Sequence, residues 1–160
     1  MFKQHVLLIL FIILSRILPH PPNLTPINSV SVYCGAKLRS YCVPVIGMLL
    51  SDIIIGFHPL MLVVYPVLIL SVYLSTKLNF AVSIFINSFI FFVTTNFFMW
   101  VLYYEHTVGS LIQCYILAIP FYQYSLIGDL LYSLLLFGLG SLVDEKYLQL
   151  SKKANNEQIV

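Results

Sequence analysis

Apolar residues run in blocks over 4–18, 26–36, 41–56, 60–76, 80–103, 110–121 and 125–143, each bounded by Pro, Gly or polar residues, and a polar tail begins at Asp144. Each block reads as a helix. The stretch from Leu78 to Tyr104 holds 27 residues without a formal charge, more than the ~20 needed to cross a ~30 Å hydrocarbon core. That stretch is expected to span a membrane. Two blocks, 26–36 and 110–121, are short for a crossing, so which of them crosses decides the topology.

The charges between the blocks arbitrate. If 26–36 crosses, using Asn23 to Arg39, and 110–121 lies as a re-entrant or interfacial segment, then Lys3, Lys37, Arg39, Lys77, Lys146, Lys152 and Lys153 share one side and Arg16 alone faces the other. If the first short block is re-entrant instead, or if both cross, the score is four against four. The excess of Lys and Arg on cytoplasmic loops therefore selects six spans with both termini in the cytoplasm. The second span is then polar, with Asn28, Ser29, Ser31, Tyr33 and Cys34 inside it. Such a helix should be enclosed by the others, and the small residues Ser31 and Gly35, four apart, permit close approach.

Composition agrees with this pattern. The chain has 160 residues, 60% hydrophobic and 9% charged, with a mean hydropathy of +0.95. A soluble domain of this length cannot hide so much apolar surface. The net charge of +2 and the absence of a dense basic block give no nucleic-acid surface. Cys34, Cys42 and Cys114 form no CxxC or His-spaced pair, so they read as buried small apolar residues. Residues 6–18 follow Lys3 as in a signal peptide but end without a small-x-small site, and are kept as the first helix. Residues 1–150 are expected to form a single integral membrane domain and 151–160 a polar, disordered cytoplasmic tail.

The remaining gaps gather on the Lys/Arg-poor side: His20 to Asn23, Gly56 to Pro59, Tyr103 to Thr107 and Phe121 to Ser125. One or two turns beneath them lie Asp52 on the third span, Asn96 and Trp100 on the fifth, and Asp129 near the start of the last. A carboxylate inside a span costs ~2.5–3.5 kcal/mol on insertion scales and is expected to face the bundle interior. Asn96 and Trp100, four apart, share a helix face, and Tyr103 and Tyr104 suit an interfacial aromatic belt. The Pro21-Pro22 pair makes a stiff loop, with Thr25 as helix cap and Pro26 at the first helical position. His20, His58 and His106 lack the spacing of a metal site, and no metal or cofactor is expected. No nucleophile, phosphate-loop or acid-base motif occurs, so no catalytic site is expected.

The run from Arg16 to Ile27 (Arg-Ile-Leu-Pro-His-Pro-Pro-Asn-Leu-Thr-Pro-Ile), residues 49–58 (Leu-Leu-Ser-Asp-Ile-Ile-Ile-Gly-Phe-His), Thr95-Asn96 with Trp100, residues 115–121, and Ile127-Gly128-Asp129 together resemble a family of small, functionally uncharacterised bacterial membrane proteins described as candidate transport proteins. The resemblance covers about Arg16 to Gly138. More distantly, the chain resembles the substrate-binding S components of energy-coupling factor transporters, in particular the cobalamin-type branch. That resemblance implies a six-helix bundle plus one short re-entrant or interfacial helix, with a micronutrient held near the outer face. It places Pro22, Asn23, Asp52, His58, Asn96, Trp100 and Asp129 in the segments that line or cover the pocket. It also implies an energising transporter module as partner. Residues 6–18 contain no alanine, unlike the Ala-x-x-x-Ala contact of that group.

The expectation is thus an all-α, multi-pass inner-membrane protein that captures a small vitamin-like solute for uptake, with the lipid bilayer and that solute as partners. A membrane interaction or assembly subunit without transport is the alternative.

Overall fold

The computed structural model describes residues 2–157, with side chains through Ser141. The regular secondary structure of the described residues is all helical, without strands. Helix α1 spans Phe2–Ile17, α2 Ile27–Tyr33, α3 Cys42–Ile55, α4 Met61–Ser75, α5 Phe80–Tyr103 and α6 Val108–Glu157. A single π-helical turn, Cys34–Leu38, prolongs α2 and ends where Arg39 takes a left-handed conformation. The block boundaries anticipate α1, α3, α4 and α5 to within two residues. Asn79 closes the start of α5 by accepting a hydrogen bond from the Val82 amide at 2.9 Å.

Contacts along the helices give an up-and-down order. Gly47 lies against Ile12, and Arg16 reaches Ser51 and Asp52, so α1 and α3 run parallel. Helices α4 and α5 are antiparallel, with Phe91 against the Met48–Val64–Leu68 cluster and Asn87 bonded to Ser75. Helices α5 and α6 form a hairpin from Trp100–Ser110 at its tip to the Phe80–Phe137 ring pair at its base, 4.2 Å between centroids. Lys3, Lys37, Arg39 and Lys77 gather at one end and Arg16 at the other.

The second helix is enclosed, as its polar content demanded: every residue from Asn28 to Gly35 is buried. Gly35 is indispensable to this arrangement, since a Cβ there would stand 2.3 Å from the Val72 carbonyl oxygen. Leu8, Ile12, Val30, Tyr33, Cys34, Val43 and Val72 make the main apolar cluster around it. The interior is nevertheless rich in Asn, Ser and Asp, whereas the outward faces of the helices carry Leu, Ile and Phe. That polarity is inverted relative to a water-soluble core. Helix α5 and residues Val108–Ser141 of α6 are long and apolar enough to cross a membrane.

The structure corrects four expectations. The separate re-entrant or interfacial helix over 110–121 does not exist, because α6 passes through Pro120 without a break. Proline removes one amide donor and leaves a single carbonyl four residues back unpaired, too little to end a long apolar helix held against α5. The disordered tail is likewise replaced over 151–157 by helical backbone, and 158–160 lie outside the described residues. Thr25 makes no cap; Pro26 occupies that position, with no side-chain hydrogen bond to the helix. Cys34 and Cys114 are buried as expected, but Cys42 is exposed at the start of α3.

Candidate functional site

Two connections are fixed by backbone geometry at the end away from the lysines. Asn23 adopts φ 63°, a left-handed conformation that asparagine tolerates better than most residues, and the Leu24 amide bonds back to the Pro21 carbonyl at 3.1 Å. Gly56 takes φ 117°, a region closed to side-chain-bearing residues, and its amide still bonds to the Asp52 carbonyl of α3 at 2.8 Å. These turns bring exposed Asn23 and His58 to the mouth of a cavity of about 340 Å³ between α1, α2, α3, α4, α5 and α6. Its volume falls toward the small end of the ~300–1,000 Å³ typical of ligand pockets.

At the rim, Arg16 comes from the last turn of α1. One of its terminal nitrogens donates to the Asp52 carboxylate and to Ser51 Oγ, the latter at 2.6 Å. The other Asp52 oxygen accepts from the Tyr65 hydroxyl at 2.8 Å. Asp52 is fully buried and the Arg16 side chain is 14% exposed, so this pair is shielded from solvent and its charges neutralise one another. It ties α1, α3 and α4 together and presents the edge of Arg16 to the cavity.

Deeper, Asp129 projects from α6. Its Oδ2 accepts from Asn28 Nδ2 at 2.9 Å, and Asn28 Oδ1 accepts from Ser71 Oγ at 3.0 Å. Ser29 Oγ donates to the Asp129 backbone carbonyl at 3.0 Å. The Ser88 hydroxyl lies beside the carboxylate without a partner at hydrogen-bonding geometry. At 1.5 Å per residue, Asp129 is ~31 Å along α6 from Val108 and ~12 Å from the Phe137 layer. It therefore lies well along α6 and not near its start as the block pattern suggested, while the neighbouring Gly128 packs against Leu24 of the α1–α2 connection, at the end of the bundle away from the lysines.

The walls are aromatic and aliphatic. Phe92 and Tyr122 face each other at 4.4 Å between centroids, inclined by 34°, and Phe91, Phe121, Ala118, Met48 and Val64 complete the lining. Asn96 is half-buried, lines the cavity and donates to the Phe92 carbonyl of its own helix at 2.8 Å.

Of the seven residues singled out from sequence, Asn23, His58, Asn96 and Asp129 line this one cavity. Pro22, Asp52 and Trp100 are not among its lining residues. Pro22 is exposed in the loop beside Asn23. Asp52 stands behind Arg16. Trp100 is at the hairpin tip, where its indole NH donates to Ser110 Oγ at 2.9 Å and its ring meets His106 at 5.2 Å. Sequence reasoning missed Arg16, Asn28, Ser88 and Ser125 as lining residues. Arg16 carried a usable signal, being the one basic residue on the Lys/Arg-poor side. His20, His58 and His106 do not assemble, and no group of three metal-ligating side chains occurs among the described residues.

Fold and cavity together define a helical bundle of inverted polarity with a polar-lined, aromatic-walled chamber toward one end. Residues 2–153 match the sequence model of the family of unknown function DUF6580, and the chain belongs to that family. No curated protein and no solved structure matches it.

Proposed function

We propose that the protein is a multi-pass inner-membrane protein whose six helices cross the bilayer, with both termini in the cytoplasm, and that it captures a small vitamin-like solute from the outer side for uptake. The observation that carries this reading is the cavity itself: polar groups from the two fixed connections and from α2, α5 and α6 converge at the end remote from Lys3, Lys37, Arg39 and Lys77. Polar groups in a bilayer are costly and favour enclosed, functional positions. In a crossing of ~30 Å, the shorter helices α1, α3 and α4 reach across with their apolar flanks, and α6 is long enough to extend beyond the core.

The protein is a binding component and not a catalyst, and a separate energising module or an ion gradient drives release inward. This keeps the S-component-like arrangement implied by sequence resemblance as part of the proposal. The test is a thermal-shift and native mass-spectrometry screen of the purified protein against vitamin- and nucleobase-sized solutes, repeated with Ala118→Phe. Ala118 is a buried lining residue, so added bulk there fills the chamber. A solute that stabilises the native protein and loses its effect in Ala118→Phe supports capture; no stabilising solute, or one indifferent to Ala118→Phe, refutes it.

A second reading, an assembly subunit without transport, is favoured by the Arg16–Asp52–Tyr65 and Asp129–Asn28–Ser71 networks, which lock helices to one another without any ligand. The same screen separates the two.

A further inference from the structure

We infer that the solute taken by this cavity is a small planar nitrogen base, whose cationic or doubly N–H-bearing edge is received by Asp129 while its ring lies among Phe91, Phe92 and Tyr122. The inference rests on the proposed solute capture and specifies the chemistry of that same site.

Charge balance leads to it. Arg16 and Asp52 form the one ion pair among the described side chains, so the rim contributes a neutral couple. An anionic solute would have to compete with Asp52 for a guanidinium that already also serves Ser51 and the Met48 carbonyl. Asp129 has no such partner. It is 4% exposed, and the groups that meet it are neutral: Asn28 and Ser29 from α2 and Ser88 from α5. A carboxylate held in a low-dielectric interior without a counter-charge is strongly disfavoured. A solute bearing positive charge supplies what the protein omits.

Hydrogen-bond capacity narrows the class. A carboxylate offers two oxygens and about four acceptor sites, suited to a planar fork of two N–H groups. One site on Oδ2 is taken by Asn28. Ser88 is 2% exposed and lines the cavity beside the carboxylate, its hydroxyl close to Asp129 but without a partner at full hydrogen-bonding geometry. An amidine-like or aminopyridine-like edge would engage the carboxylate and leave a polar atom for Ser88. The neighbouring aromatic faces favour a flat ring, and a cation near those faces gains further attraction from their quadrupoles.

The test compares probes of one shape and different charge. The full chain, reconstituted in phosphatidylethanolamine/phosphatidylglycerol nanodiscs, is titrated calorimetrically with benzamidine, 2-aminopyridine, benzamide and benzoate, in the native form and as Asp129→Asn. Benzamidine and 2-aminopyridine should bind at least about tenfold more tightly than benzamide or benzoate, and Asp129→Asn should remove that preference. Preference for benzoate or benzamide, or undiminished benzamidine binding by Asp129→Asn, overturns the inference. If the probe preferred instead is lost in Ala118→Phe, solute capture survives without it. Failure of all four probes to bind overturns the inference, while capture itself is decided by the thermal-shift and mass-spectrometry screen with Ala118→Phe. Should Asp129→Asn not fold, the ranking of the four probes by the native protein decides the matter.

Discussion

Arg16 and Asp52 lie 36 residues apart and meet where one is fully buried and the other nearly so. Removing either partner alone strands a buried charge, a defect that costs ~3–5 kcal/mol, whereas replacing both by apolar residues of similar size is often close to neutral. Arg16→Met and Asp52→Leu should therefore each lower unfolding stability in detergent by about that amount, and the double variant should recover most of the loss. Strictly additive losses would mean that the pair is not coupled. The residue scale also shows what a sequence can disclose about a site. Asn96 and Asp129 stood out because polar side chains inside apolar blocks are expensive, and Asn23 and His58 because they sit in Pro- and Gly-marked gaps. Asn28 and Ser88 belong to the same cavity but gave no distinct signal, since serine and asparagine in a span serve equally well as helix glue, and Ser125 was read only as the end of a polar gap. Asp52 drew attention for a sound reason, its charge, yet its partner was visible only once α1 and α3 were seen side by side.

At the scale of elements, α2 governs the packing. Its seven residues and following π-turn are surrounded by α3, α4, α5 and α6, and the Gly35 backbone rests on α4 so closely that no Cβ fits. Gly35→Ala should cost on the order of 1–3 kcal/mol through overpacking, read as a lower melting temperature in detergent. Gly138→Ala, at a position with nothing within 4 Å, should leave stability unchanged or slightly raised through helix propensity. Equal effects at the two positions would contradict the close approach. Enclosure of α2 was readable from its polar composition. The continuity of α6 was not, because Pro120 and the cluster Tyr122-Gln123-Tyr124-Ser125 look like punctuation. In the folded chain Tyr122 and Ser125 turn into the cavity while Gln123 and Tyr124 remain exposed. One polar cluster thus serves two faces of one helix. Joining the two blocks leaves the proposed six crossings intact, since 110–121 and the final block become one pass.

For the whole molecule, the central claim is that the cavity mouth and the lysine-rich end lie on opposite sides of the membrane. Charge distribution alone suggested that sidedness, and the helix order is compatible with it because Asn23 and Lys77 fall at opposite ends of the bundle. The direct measurement is single-cysteine accessibility in intact cells, using a membrane-impermeant maleimide on a background with Cys34, Cys42 and Cys114 replaced by alanine. Asn23→Cys should be labelled in intact cells, and Lys77→Cys only after the membrane is opened. Labelling of Lys77→Cys from outside with Asn23→Cys protected, or labelling of both from the same side, would contradict an outward-facing cavity.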